Sequence, residues 1–176
     1  MFEIVFPEEA IQARVLELGR RIGEDHPSER RLWLIGALKG ALFFHADLAR
    51  AVPRDVAIDF VQASSYGDET ESSGNVRILR DADHDFEGDD VILVEDIVDS
   101  GRTASTLLRL FAERKPHSLK LAALLDKPSR RVEPVHIDYC GFRSPNAFLV
   151  GYGLDHAQKF RNLREIRSLD EAEIGR

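Results

Sequence analysis

The sequence predicts an α/β domain with a parallel-core sheet flanked by helices. Three observations carry this reading. Two short, wholly apolar runs, Leu32-Trp33-Leu34-Ile35 and Val91-Ile92-Leu93-Val94, have the pattern of strands covered on both faces. Amphipathic stretches of helical period lie between such runs. Strand-like and helix-like segments alternate along the chain, as βαβ units require.

Each element has its own grounds. Ile11, Val15, Leu18 and Ile22 are spaced four, three and four apart and form one apolar stripe on a helix. Pro7, Glu8 and Glu9 suit its first turn, and Asp25 to Glu29, with Pro27, ends it. Leu32–Ile35 leads through Gly36-Ala37-Leu38-Lys39-Gly40 into a helix over Ala41–Arg50, stopped by Pro53. Val56–Ala63 reads as a strand. Ser64–Gly74 is small, polar and without period, which predicts a mobile loop longer than most connections in compact domains. Its flanks, Ile58–Gln62 and Asn75–Arg80, are expected to pair antiparallel. An acidic turn over Asp81–Asp90 precedes the buried strand Val91–Val94. Thr103–Lys115 is helical, with Leu107, Leu108, Leu110 and Phe111 inward and Pro116 closing it. Leu119–Leu125 and Val135–Cys140 are further strands. From Phe148 on, the pattern is a short strand, an aromatic and charged turn, and an acidic tail.

The bulk numbers exclude several classes. With 176 residues, 43% hydrophobic and 31% charged, the chain fits one globular domain (1–176), neither disordered nor fibrous. A balance of 24 basic against 31 acidic residues, net −7, argues against a nucleic-acid-coating surface. No basic start with a long apolar run opens the sequence, and no apolar run approaches the ~20 residues that a membrane span needs. A cytoplasmic protein without a membrane partner is expected. The single cysteine, Cys140, cannot form an internal disulfide, and it reads as a small buried residue beside a strand.

The chemistry concentrates in Val91-Ile92-Leu93-Val94-Glu95-Asp96-Ile97-Val98-Asp99-Ser100-Gly101-Arg102-Thr103. A buried strand delivers two adjacent carboxylates to its C-terminal edge. A third carboxylate follows, then Ser-Gly-x-Thr opens a helix. Hydroxyls, a glycine and free backbone N–H groups at a helix start form a phosphate cradle. Carboxylates beside it would repel bare phosphate, so they should face sugar hydroxyls, a proton or a metal ion. A phosphorylated sugar held with a divalent cation meets all three demands. Competing motifs fail. Gly151-Tyr152-Gly153-Leu154-Asp155-His156 has histidine where a dinucleotide fingerprint needs its third glycine. The P-loop, the Gly-x-Ser-x-Gly elbow and the His-Glu-x-x-His pair do not occur in the sequence. The scattered histidines read as surface or core residues.

The segment Val91–Thr103 resembles the phosphoribosyl-pyrophosphate motif of the type I phosphoribosyltransferases, and its Glu-Asp pair is similar to that of the hypoxanthine-guanine branch. Leu38-Lys39-Gly40 is similar to that branch's pyrophosphate loop, and Ser64-Ser65-Tyr66-Gly67 to the start of its closing loop. Leu125-Asp126-Lys127-Pro128 resembles its base-recognition segment. Phe148–Asp155, followed by Arg161, resembles its purine-binding C-terminal segment. The likeness runs in order from about Val5 to Leu163. It implies the type I fold with a small hood built from the N-terminal segment and roughly 145–176.

The resemblance also implies an enzyme of purine salvage. Phosphoribosyl would pass from 5-phosphoribosyl 1-pyrophosphate to hypoxanthine or guanine, with Mg2+, in a homodimer or homotetramer. Glu95 and Asp96 would hold ribose hydroxyls and help organise magnesium, and Asp99 would be the general base at purine N7. Ser100, Gly101, Arg102 and Thr103 would cradle the 5′-phosphate. Lys39, with Gly40, and Arg161 would take pyrophosphate, and Ser65 and Tyr66 would belong to the closing lid. Phe148 would stack on the purine, Lys127 would donate to its 6-oxo group, and backbone near Leu149 and Asp155 would read the rest. Asp155 would also hold magnesium through its water shell. In this family the peptide matching Leu38–Lys39 can be cis. A xanthine or broader 6-oxopurine enzyme, or a non-catalytic nucleotide- or RNA-binding regulator on the same fold, are the alternative readings. Asp99, Lys39 and the closing loop favour catalysis.

Overall fold

The computed structural model describes residues 3–27, 29–65 and 76–170, without the side chain of Ser65. The elements run β1 (Glu3–Phe6), α1 (Glu8–Asp25), β2 (Leu32–Leu38), α2 (Leu42–Ala51), β3 (Ala57–Ser65), β4 (Val76–Arg80) and β5 (Asp90–Val98). They continue with α3 (Arg102–Ala112), β6 (Ser118–Asp126), a 3-10 turn at Pro128–Arg130, β7 (Tyr139–Arg143), β8 (Phe148–Val150) and β9 (Ile166–Leu169).

A six-stranded sheet has the order β4-β3-β2-β5-β6-β7. β3, β2, β5, β6 and β7 are parallel, and only the edge strand β4 runs against them. The two faces carry separate apolar clusters. On one, Ile11, Val15, Leu18 and Ile22 of α1 meet Phe44 and Leu48 of α2, with Leu34, Ile92 and Val94 from the sheet. On the other, Leu107 and Phe111 of α3 pack on Ile35, Leu93, Leu121 and Ala123. This two-sided cover is why β2 is apolar over Leu32–Ile35 and β5 over Val91–Val94. Each fully buried aliphatic side chain contributes about 1.5–3 kcal/mol, so the α1 stripe alone anchors its helix firmly. The buried His45 on α2 sits 3.0 Å, through Nε2, from the carbonyl of Leu34, which satisfies a polar group that the apolar layer would otherwise strand.

A separate three-stranded sheet, β1-β9-β8, is antiparallel in both pairings. β9 and β1 are additions to the sequence reading. They are four residues each, too short for alternation to stand out from a turn.

Several boundaries differ from expectation. β5 continues to Val98, so Glu95 and Asp96 lie within the strand's last turn of pleat. Ser64 and Ser65 belong to β3 and pair with Arg77 and Val76; Tyr66 and the remainder of the expected loop to Gly74 lie outside the described residues. The β3–β4 pairing is antiparallel as expected but spans Gln62–Ser65, with a register shift between Gln62 and Ala63. Earlier on β3, the Asp59 carboxylate takes the Asp83 amide (3.1 Å) and pulls the acidic turn onto that edge. The strand expected over Val135–Cys140 starts only at Tyr139 and runs to Arg143. Here the Asp138 carboxylate accepts the Leu121 N–H (2.9 Å), a bond that a strand carbonyl would otherwise make. α3 ends at Ala112 rather than Lys115, whose φ is 51°. Leu108 and Leu110 are half-buried at the margin of the core. Cys140 is likewise half-buried, within β7.

Candidate active site

β5 ends in Glu95-Asp96-Ile97-Val98, and the chain turns through Asp99-Ser100-Gly101 into α3. Gly101 is the helix N-cap with φ 86°, a left-handed conformation that favours glycine. A Cβ there would also collide with the Glu133 carbonyl. The Gly101 carbonyl accepts the Ser105 N–H (2.9 Å), starting the helix. The Ser100 hydroxyl accepts the Arg102 amide at 3.4 Å. A cavity of about 210 Å³ opens here, lined by Glu95, Asp99, Ser100, Gly101 and Thr103 together with apolar neighbours. The first N–H groups of a helix are without intrahelical partners and favour anions, so the cavity floor suits a phosphate.

The carboxylates are set differently. Glu95 is 6% exposed, and burial, reinforced by the neighbouring Asp96 charge, holds its carboxyl well above the usual range. Burial likewise pushes Asp96 up to about 6, partly offset by backbone hydrogen bonds and by Arg161. Among the described residues, Glu95 Oε1 and Asp99 Oδ1 are buried side-chain oxygens with no hydrogen-bond partner. Such oxygens cost free energy unless something satisfies them. A hydroxyl, a protonated ring nitrogen or a hard cation would do so. The other Asp99 oxygen, Oδ2, is 3.5 Å from Arg130.

Two glycines let further loops approach. The Leu38–Lys39 peptide is cis and leads into Gly40, where a Cβ would run into the Asp96 carboxylate. A Cβ on Gly153 would in turn strike the Gly40 carbonyl. The loop after β2, the end of β5 and the segment after β8 are therefore in contact at one point. Arg161 pairs with Asp155 (2.7 Å) and donates to the Gly153 carbonyl (2.7 Å); Asp155 also accepts the Gln158 N–H (2.8 Å). Lys39 is exposed.

On the opposite side of the turn, Lys127 is 6% exposed and donates from Nζ to the Ala147 carbonyl (2.8 Å). That bond leaves an ammonium with two further protons. Phe148 is 38% exposed, its ring edge-on to His156 at 5.4 Å. Leu149 is buried in β8, where it pairs with Ser168. Of the expected site residues, Glu95, Asp99, Ser100, Gly101 and Thr103 line one cavity, and Gly40, Asp96, Asp155 and Arg161 gather beside it. Lys127, Phe148 and Leu149 follow from the ends of β6 and β8. Tyr66 lies outside the described residues.

Sequence reasoning passed over Arg131. Its Nε donates to the Asp99 carbonyl (3.0 Å) and its Nη2 to the Val98 carbonyl (3.0 Å) and Asp126 Oδ1 (2.5 Å). The signal was present in the Arg130-Arg131 pair shortly after Lys127, but nothing in spacing marks which of two arginines folds inward.

A helix start lined by hydroxyls and glycine, two carboxylates at the strand end before it and the Lys39–Gly40 loop against Asp96 form an arrangement suited to a phosphoribosyltransferase. The phosphoribosyl transferase domain model matches residues 8–157, and the chain belongs to that family. Within it, the chain is similar to the hypoxanthine-guanine phosphoribosyltransferase of Mycobacterium avium, at 49% identity over 172 residues, 95% of this chain and 85% of that one. The hypoxanthine-guanine phosphoribosyltransferase of Bacillus subtilis is 46% identical over 170 residues, 97% of this chain and 94% of its relative. A solved hypoxanthine-guanine phosphoribosyltransferase from Bacillus anthracis superposes with a TM-score of 0.90 at 45% identity, covering 96% of this chain and 98% of that one.

Proposed function

We propose that this chain is a purine-salvage phosphoribosyltransferase, moving phosphoribosyl from 5-phosphoribosyl 1-pyrophosphate to hypoxanthine or guanine and releasing pyrophosphate. The observation that carries the reading is the pair of unsatisfied buried oxygens, Glu95 Oε1 and Asp99 Oδ1, set beside a helix start able to bind phosphate. Relatives named for this activity, at nearly half identity over almost the whole chain, support it.

In this reading the amides of Gly101 to Thr103 and the hydroxyls of Ser100 and Thr103 hold the 5′-phosphate, with Arg102 at the cradle's edge. Glu95 and Asp96 receive the ribose hydroxyls. Lys39 and Arg161 neutralise the pyrophosphate as the bond at the anomeric carbon breaks and positive charge grows on the sugar. Phe148 offers an exposed ring face to the purine, Lys127 a proton to its 6-oxo group, and the backbone at Leu149 and Asp155 its remaining contacts. Asp99 Oδ1 faces N7 and takes its proton as the new glycosidic bond forms at N9. Residues of the loop after Ser65, Tyr66 among them, exclude water.

Glu95 and Asp96, adjacent carboxyls at the end of β5, would fit a divalent cation, whose charge would favour their ionised forms against the burial that raises them. Asp155 is already bound to Arg161, which suits contact through water. Among the described residues no group of three candidate ligands converges, so magnesium would need substrate oxygens and water to complete its shell. When bound, it would neutralise pyrophosphate charge.

We further read the chain as one domain, with β1, β8 and β9 as its hood. No helix among the described residues is long and apolar enough to cross a membrane; a cytoplasmic placement is part of the proposal. A homodimer or homotetramer is part of the proposal, favoured by Leu42 and Phe43 exposed on α2; sedimentation reads it directly. The activity itself is tested with hypoxanthine, guanine, xanthine, adenine and uracil, each given with phosphoribosyl pyrophosphate and magnesium. Nucleotide formation from hypoxanthine or guanine is expected. Formation from adenine or uracil alone, or from none, would overturn the reading.

A further inference from the structure

We propose that Arg131 is a positioning residue for the reaction: its guanidinium fixes the backbone of Val98 and Asp99 and so aims the Asp99 carboxylate and the phosphate cradle. The inference rests on the transferase reading above.

Three consecutive carbonyls of the turn are held from one side. Val98 O accepts from Arg131 Nη2 and from the Lys127 amide (both 3.0 Å). Asp99 O accepts from Arg131 Nε (3.0 Å). Ser100 O accepts the amides of Val132 and Glu133 (2.8 and 2.9 Å). With these carbonyls tied, rotation of the Asp99–Gly101 peptides is blocked. The unsatisfied Asp99 Oδ1 and the amides that open α3 are then committed to their present directions. The same guanidinium pairs with Asp126 at the end of β6, so the brace joins the ends of two adjacent parallel strands.

Arg131 does not line the cavity; it acts through the residues that do. Its side chain is 18% exposed, a setting in which charge-assisted bonds are strong. The planar fork explains why arginine is needed. Nε and Nη2 present parallel N–H groups to the two carbonyls and a further proton to Asp126, an arrangement that the point charge of lysine cannot reproduce. The packing is close as well, since a Cβ on Gly101 would press on the Arg131 stem.

The test compares wild type, Arg131→Ala, Arg131→Lys, Asp99→Asn and the Arg131→Ala/Asp99→Asn double variant. Single-turnover rates are measured with hypoxanthine, phosphoribosyl pyrophosphate and magnesium. Misplacement of a reacting group by about 1 Å can cost ~100-fold in rate, so Arg131→Ala should lose about 10- to 100-fold, with Arg131→Lys little better. Added guanidinium ion should restore part of the Arg131→Ala rate, and ammonium should not. At saturating phosphoribosyl pyrophosphate, where a displaced phosphate cradle shows in KM and not in the rate, removing Arg131 from the Asp99→Asn enzyme should cost only about two- to threefold more, a non-additivity that a remote structural role would not give. Multiplying losses, or a wild-type rate in folded Arg131→Ala, would overturn the proposal. If Arg131→Ala does not fold, Asp126→Asn weakens the same brace and takes its place in the cycle. An inactive wild type would instead defeat the transferase reading, a separate outcome from an active wild type indifferent to Arg131.

Discussion

The backbone of Gly40 lies so close to the carboxylate of Asp96 that one carbon added to the glycine would overlap it. The loop after β2 thus meets the end of β5 with only the Asp96 side chain between them, and a Cβ on Gly153 would strike the carbonyl of the same glycine. Gly40→Ala should therefore act on binding through displacement of Lys39 and Asp96. Overpacking of this kind costs about 1–3 kcal/mol, and the KM for phosphoribosyl pyrophosphate should rise about tenfold or more. Steady-state kinetics and urea unfolding check both. An alanine enzyme with unchanged KM would show that the contact does not set the geometry of the pyrophosphate loop.

Asp99→Asn keeps the size of the side chain and one accepting oxygen but cannot take a proton. General-base contributions are ~10²–10⁴-fold, so kcat should fall within that range while the KM for phosphoribosyl pyrophosphate moves little. Ser100→Ala, which removes a cradle hydroxyl, should show the reverse pattern. Single-turnover rates guard against product release masking the loss. A wild-type single-turnover rate in folded Asp99→Asn would sink the assignment.

Chelation should abolish turnover, and added magnesium should restore it. The thermal midpoint should change far less, because the apolar clusters on both sheet faces need no ion. Undiminished activity in excess EDTA would remove the cation from the proposal.

Far from the site, His26 is buried and its imidazole is held below its ordinary pKa of 6.5, chiefly by desolvation and against the pull of Asp90. It faces Asp90 (3.4 Å) and the Tyr139 hydroxyl (3.3 Å), with Asp25 and Lys120 nearby. The unfolded chain takes up this proton first as pH falls. The stability associated with neutral His26 is therefore present above about pH 6.5 and is lost as pH drops toward the lower folded value. Between pH 7.5 and pH 5, wild type should lose more unfolding free energy than His26→Gln. Equal losses would mean that His26 does not titrate in this window.

The buried strands and the helix stripes were legible because apolar period survives any tertiary context, as Ile11 to Ile22 illustrates. The clustering of Glu95 to Thr103 was legible for another reason: these residues are contiguous in sequence, and strand, turn and helix bring most of them to one cavity. What stayed hidden depended on distant partners. Arg131 differs from Arg130 only in which way it folds. The Gly40–Asp96–Gly153 contact joins three loops that no local rule connects. β1 and β9 are too short to announce themselves, and the strand expected at Val135 gave way to a side-chain bond from Asp138 that backbone propensity does not foresee.

The pairing of β1 with β9 also governs when the three-stranded sheet can be completed during synthesis. Glu3–Phe6 is made well before its partner Ile166–Leu169, and the strands of the six-stranded sheet all lie between the two in sequence. Phe148 and Leu149 enter their small sheet only when β9, their partner on one side and β1's on the other, has emerged. The small sheet therefore cannot close until every strand of the larger one has been made.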